Sequence, residues 1–333
     1  MIGKTRTVFV VGAGASMPYG FPSANQMLEQ FQRDMSDEGH ELREVLHRRL
    51  GEDFFGLMTV VKQLSKSLDE LLFYKPRWAD ELRIAISYYL LQAEEKAKVG
   101  PVIKYDPPDD EVRKSKPNPL REDNWLGYLF DRLTSPNVDT RGGINCAFVT
   151  FNYDRLIEHY FATKSEYLHE DGGKFQCVPF LEQIKIHHVH GSLGPLPPFS
   201  SGSPVPFGGR GQITEDHAAQ SAEYMTTAHE DDEHLDDDIQ AARRELSTAD
   251  QIVFLGFAFH EFALKRLDWM NTIVRDDVRV YGTAFRLDEG VRSWVQRQSG
   301  WRFMQLLRAT DDPYTNQHRC TWCILICSRN GTH

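Results

Sequence analysis

The sequence predicts an α/β fold in which a doubly wound parallel sheet of about six strands carries an inserted helical part. Three observations support this. Short β-branched runs recur along the chain, each bounded by glycine or polar residues. Most are apolar nearly throughout instead of alternating, as parallel strands covered on both faces must be. Helical patterns separate several of the runs, as βαβ crossovers require.

Taken in order, the first run is Thr7 to Gly12, followed by a helical pattern over Ser23 to Arg33. The second run, Asn145 to Asn152, comes only after an interval far longer than one crossover helix. Within that interval apolar positions recur at helical spacing over Phe54 to Leu72 and Ala79 to Ala97. Residues 34–140 are therefore expected to form a mainly helical insertion within one domain spanning residues 1–333. The stretch Tyr105 to Leu120 is rich in proline and charge and has loop composition. Trp125 to Leu133 then resumes as an amphipathic helix leading into the second strand. Further strands are expected at Lys185 to Gly191, Gln251 to Gly256, Val278 to Gly282 and Thr321 to Ser328, with helices at Arg155 to Phe161 and Glu261 to Val274. Residues 194–227 are irregular and end near the acidic run Glu230 to Asp238. That run reads as a solvated face or a helix start, because an isolated acidic run lacks a fixed coordination geometry for a metal.

Composition narrows the functions available. Hydrophobic residues make up 41% of the chain and charged residues 26%, so a globular protein is expected. A formal net charge of -10 argues against a surface built to neutralise phosphates, and hence against direct nucleic-acid binding. No segment approaches the roughly 18 consecutive apolar residues of a membrane span. The amino terminus also lacks the apolar core of a signal peptide, so a cytoplasmic address is expected. Three of the five cysteines crowd into Cys320, Cys323 and Cys327, unlike a disulfide framework. Strand alternation separates Cys320 from Cys323, and buried small hydrophobes are the better reading than a zinc pair.

Three strand ends carry candidate chemistry. Gly12-Ala13-Gly14-Ala15-Ser16 lets the backbone approach a ligand, and the helix start beyond it offers N–H groups to a pyrophosphate, as in Rossmann-like folds. The full Gly-x-Gly-x-x-Gly fingerprint is not met, because Met17 occupies the third glycine position, so a nicotinamide dehydrogenase is not indicated. Phe148-V-T-F-N-Y-Asp154 brings Asn152 and Asp154 to a strand end, where they either face a ligand crevice or cap the next helix. Ile186-H-H-V-H-G-Ser192 sets His188 and His190 on one side and His187 on the other, so no simple metal face results. Of these His190, beside Gly191, suits acid–base work, because imidazole titrates near neutrality.

In this order, Gly12-A-G-A-Ser16 with Gly20-F-Pro22, Thr150-F-N-Y-Asp154, His190-G-Ser192 and Leu255-G-F-A-Phe259 resemble the sirtuin-like family of NAD-consuming enzymes. More closely, they resemble its bacterial branch associated with anti-phage defence, to which Ser67-L-D-E-L-Leu72 and Asn124-W-L-G-Y-L-Phe130 are also similar. Two departures set the chain apart from the protein-deacylating members. No cysteine lies between Cys177 and Cys320, so their four-cysteine zinc module is missing, and Pro22-S-A-N-Gln26 stands where they carry Asp-Phe-Arg.

The resemblance implies an NAD glycohydrolase that cleaves NAD to ADP-ribose and nicotinamide as the effector of an abortive-infection system, with no metal required. It implies that Gly12, Ala13, Gly14, Ala15 and Ser16 cradle the pyrophosphate and that Pro22 is also among the NAD-binding residues. Asn152 and Asp154 would lie by the nicotinamide ribose, with His190 as general base beside Gly191 and Ser192. Gly256, Phe257, Gly282 and Thr283 would contact the adenosine half. It further implies self-assembly into a homo-oligomer or reliance on a separate partner, for which a HerA-type ATPase is one candidate. An NAD-dependent deacylase and a non-catalytic NAD or ADP-ribose sensor remain the alternatives.

Overall fold

The computed structural model describes residues 5–63, 67–97, 125–134, 144–170, 180–196, 199, 205–211, 213–226, 237–272, 277–283, 289–291, 293 and 305–307. Six strands, β1 (Thr7–Val11), β2 (Cys146–Thr150), β3 (Lys185–His188), β4 (Gln251–Leu255), β5 (Arg279–Thr283) and β6 (Gln305–Leu307), form one sheet in the order β3-β2-β1-β4-β5-β6. Every neighbouring pair runs parallel. The chain winds outward in both directions from the centre, and the direction reverses between β1 and β4. In open α/β sheets the crevice at such a reversal, beyond the carboxyl ends of the strands, is where ligands bind.

Alternation along the strands feeds two separate cores. Phe9, Val11, Phe148, Val253 and Leu255 point into the core shared with the helices that follow β1. Val8, Val10, Val149, Ile252 and Phe254 point into the core on the opposite face. This explains the apolar runs: β1 and β2 are buried at every position, and their polar residues, Thr7 and Thr150, stand only at strand ends. Edge strand β3, Lys-Ile-His-His, is exposed or half-buried throughout and accordingly polar. It ends at His188, earlier than the sequence pattern suggests, and Val189 and Gly191 continue only as isolated bridges. The strand expected at Thr321 to Ser328 lies outside the described residues, whereas β6 is a three-residue segment too short to show a period.

Among the described residues between β1 and β2, regular structure is helical. α1 (Ala24–Ser36) opens with a capping box in which Ser23 accepts from the Gln26 N–H and the Gln26 side chain accepts from the Ser23 N–H. α2 (Glu41–Leu50), α3 (Asp53–Gln63) and α4 (Leu68–Tyr74) follow, then α5 (Ala79–Lys96). Eleven of the eighteen residues of α5 are buried, on all sides of the helix, which places it inside the layer and not on its surface. α6 (Trp125–Leu133) leads toward β2.

After β2 come α7 (Leu156–Glu170), α8 (Glu215–Ala222) and α9 (Asp237–Ser247), the last beginning at the end of the acidic run. The helix expected over Glu261 to Val274 is instead two short ones among its described residues, α10 (Glu261–Arg266) and α11 (Trp269–Thr272). The break comes at Asp268, whose φ of 46° cannot continue a right-handed helix. Among the described residues no helix is long and apolar enough to cross a membrane.

Candidate active site

The loop after β1 is built by close backbone packing. The Gly12 N–H donates to Leu255 O at 2.9 Å and the Gly14 N–H to Gly256 O at 3.0 Å, so the ends of β1 and β4 are stitched together. A Cβ on Gly12 would lie 2.7 Å from Gly256 O, and one on Gly14 would lie 2.9 Å from Gly256 Cα. Gly256 itself has φ +56°, and its Cβ would fall 2.1 Å from the Ala15 nitrogen. The three glycines are thus explained by loop-to-loop contact. The Ala15 and Ser16 N–H groups are spent on Gly12 O and Ala13 O, in two short turns over Ala13–Ala15 and Met17–Tyr19. Ala13 is exposed, Gly14 and Pro22 are half-buried, and Ser16 is buried.

From Ser16 a hydrogen-bonded chain crosses to the end of β2. The Asn152 amide Nδ2 donates to Ser16 Oγ at 3.1 Å, and Ser16 Oγ donates to Asp154 Oδ2 at 2.9 Å. The other oxygen of Asp154 accepts the Leu156 N–H at 3.2 Å, capping α7. Ligand-facing and capping readings of Asp154 are therefore compatible, because each oxygen serves a different partner. Burial pushes the Asp154 carboxyl up to about 6; the bonds from Ser16 and Leu156 work against this, and the Glu158 and Glu94 carboxylates add to it.

His190 follows β3, its ring 5.5 Å from Phe151 and 6.3 Å from Tyr153, the two neighbours of Asn152. Phe151 in turn meets Phe257 at 5.1 Å, so one aromatic row joins the ends of β2, β3 and β4. Burial, and then the Arg266 guanidinium, hold the His190 ring down at about 3. It is neutral at physiological pH and able to accept a proton. Gly191 has φ +71°, and a Cβ there would lie 2.0 Å from Tyr224 O, so only glycine lets residues 224–226 close against the strand end. The Thr226 N–H donates to His190 O at 2.9 Å and the Ser192 N–H to Tyr224 O at 3.2 Å.

The expected adenosine wall is more interior. Phe257 is buried among Phe254 and Phe259, while Gly282 pairs with Phe254 within the sheet. Thr283 Oγ1 accepts the Gly256 N–H at 2.9 Å and fixes the turn after β4. Phe259 has φ 56°, a left-handed conformation costing a bulky residue about 1–2 kcal/mol. Its ring packing against Phe254 and Phe257 holds it there.

Several further residues shape the site: Tyr153, Asp69, His188 and Trp125 lie within the quoted stretches without being assigned a role there, whereas Arg155, Glu94 and Glu158 lie outside them. Tyr153 is raised well above its ordinary range by burial and then by Asp69, against Arg266 and Arg83. Asp69 has exposed surface, yet desolvation raises its carboxyl to about 6. Arg155 grips Glu94 of α5 through two bonds, Nε to Oε1 at 3.0 Å and NH2 to Oε2 at 2.6 Å, and donates to Val205 O at 2.7 Å. His188 donates from Nδ1 to Asn152 O at 2.9 Å and meets Glu158 Oε1 through Nε2 at 2.6 Å. Trp125 Nε1 donates to Ala15 O at 2.9 Å and ties α6 to the first loop. Among the described residues no cluster of three His, Cys, Asp or Glu could hold a metal ion.

The arrangement therefore joins a hydrogen-bonded polar chain, Asn152–Ser16–Asp154, to a neutral imidazole, His190, at the carboxyl edge of a parallel sheet. Residues 146–275 match the family model described as SIR2-like domain. The match runs from β2 through α11 and contains Asn152, Asp154, His190 and Gly256, while Gly12–Ser16 lie before it. It supports a sirtuin-like family and NAD-related function in general. No curated protein matches the chain.

Proposed function

We propose that this protein is an NAD glycohydrolase that converts NAD and water to ADP-ribose and nicotinamide. The observation that carries the proposal is the meeting of Ser16, Asn152 and Asp154 in one buried hydrogen-bonded chain, with His190 on the aromatic row beside Asn152. The SIR2-like match, which contains Asn152, Asp154 and His190 but not Ser16, supports NAD as the substrate.

Nicotinamide leaves as a neutral molecule when its glycosidic bond breaks, and positive charge builds on the ribose. The protein's task is to orient that ribose, stabilise the developing charge and deliver water. Asp154, charged above its raised value near 6, supplies negative potential beside the ribose through Ser16. Asn152, fixed through Ser16, aligns the ribose and the nicotinamide. Water adds to the ribose carbon as the bond to nicotinamide breaks, and His190 takes up the proton that the water releases. Burial, and after it the guanidinium of Arg266, keep His190 neutral, and a pyrophosphate anion near Arg266 would offset the smaller of the two effects and strengthen the imidazole as a base.

His190→Ala and Asn152→Ala are each expected to lower nicotinamide release at least 100-fold with the circular-dichroism spectrum preserved. Undiminished turnover in both would sink the proposal. Release that requires an acyl-lysine peptide would instead identify a deacylase. The resemblance to the anti-phage branch extends the proposal to an antiviral effector that acts as a homo-oligomer or with a partner of the HerA ATPase type. Depletion of cellular NAD on phage infection, lost in His190→Ala, tests that extension.

A further inference from the structure

A second polar chain reaches the site from below and serves no ligand directly. It begins at Glu158 on α7, passes through His188 at the end of β3, and ends on the backbone carbonyl of Asn152. We infer that Glu158 and His188 form a positioning pair that clamps the Asn152 carbonyl and thereby sets the direction of the Asn152 side chain for the proposed NAD cleavage. This inference rests on that proposal for its catalytic half, while its structural half stands alone.

The geometry supports the assignment in three ways. A carbonyl oxygen and a carboxylate oxygen both accept, so a ring bonded to each through a different nitrogen carries a proton on both nitrogens. At 2.6 Å a bare Nε2 lone pair facing Glu158 would be repelled, so a proton lies between them. Burial alone would discharge His188, but the Glu158 carboxylate, its hydrogen bond and the Asn152 carbonyl together hold the ring above its ordinary value. Among the described residues Glu158 Oε2 has no hydrogen-bond partner, which leaves His188 to neutralise the carboxylate. Finally, the Asn152 side chain is held separately by Ser16, so the residue is fixed at two points, from β3 and from the loop after β1.

The test uses the full chain in three forms. His188→Phe with Glu158→Leu removes both members of the pair together, so no buried charge is stranded and the protein is expected to fold. Glu158→Gln is the conservative variant: its amide can donate to Nε2 while Nδ1–H stays on the Asn152 carbonyl. The double variant is expected to release nicotinamide with kcat about 30- to 100-fold down and KM for NAD within about threefold of wild type. Glu158→Gln is expected to recover most of that loss. Hydrogen exchange in the double variant should quicken at least tenfold at the backbone amides of Tyr153 to Leu156 and change little in β1 and β4. A folded double variant with wild-type kcat overturns the catalytic half, and unchanged exchange at Tyr153 to Leu156 overturns the clamp itself. A wild-type chain that turns over no NAD counts against the proposed function, while the exchange experiment still decides the clamp.

Discussion

Asp154 shows how burial and hydrogen bonding contend within one side chain. Its carboxyl holds a proton up to about pH 6 in the folded protein, against an ordinary value of 3.8. The folded state thus binds that proton more tightly than the unfolded chain does. The favourable contribution is complete below about pH 4 and is lost as the pH rises through about 6. A shift of this size corresponds to about 3 kcal/mol. Asp154→Asn has no charge to bury, and its carbonyl still accepts from Leu156. Its stability relative to wild type is therefore expected to rise by about 2 kcal/mol between pH 4.5 and pH 7, as measured by urea unfolding. A flat difference would show that the bonds from Ser16 and Leu156 cancel the desolvation. Sequence placed Asp154 at a strand end but not opposite Ser16, because the two lie 138 positions apart and only the pairing of β1 with β2 brings them together.

At the scale of elements, the Glu94–Arg155 pair ties the helical insertion to the loop that carries Asn152. Arg155 is 1% exposed and Glu94 is 0%, and neither stands in a motif. From sequence, Glu94 reads as one more charge near the end of an amphipathic helix and Arg155 as the start of the next. Neither suggests a buried partner. Their satisfaction is thorough: Glu94 also accepts the Gly208 N–H at 3.0 Å, and Arg155 donates to Pro206 O at 3.3 Å, so α5, the 152–156 loop and the 205–211 turn meet at one point. Removing one partner strands a buried charge, typically at about 3–5 kcal/mol. Arg155→Met is expected to lose that much in urea unfolding, whereas Arg155→Met with Glu94→Leu should recover much of it. Recovery of stability without recovery of nicotinamide release would mean that the pair sets the loop's position as well as holding it. By contrast the start of α1 was legible, since the helical pattern begins at Ser23, the residue that caps it, although the helix runs to Ser36 instead of Arg33.

Across the whole molecule, the legible part was what local pattern dictates. Buried strands β1, β2 and β4 stood out because both faces are covered, and β3 was found despite its polarity through its glycine terminus. The order β3-β2-β1-β4-β5-β6 carries no local signature, yet it decides which loops meet. It sets the ends of β1 and β4 side by side at the reversal and brings those of β2 and β3 to one flank. A ligand bridging these ends would contact elements from both directions of winding, so its binding energy would oppose global unfolding and not merely a local opening. For one site, ADP-ribose at 100 times its dissociation constant is expected to stabilise the folded chain by about 2.7 kcal/mol. ADP-ribose is the informative probe because it holds both anionic phosphates and cannot be cleaved at a bond to nicotinamide. Thermal unfolding should rise with the logarithm of its concentration, and Ser16→Ala, which breaks the chain to Asn152 and Asp154, should weaken the response. A midpoint that stays fixed at millimolar ADP-ribose would show that the folded chain does not bind it and would count against a site across the sheet reversal.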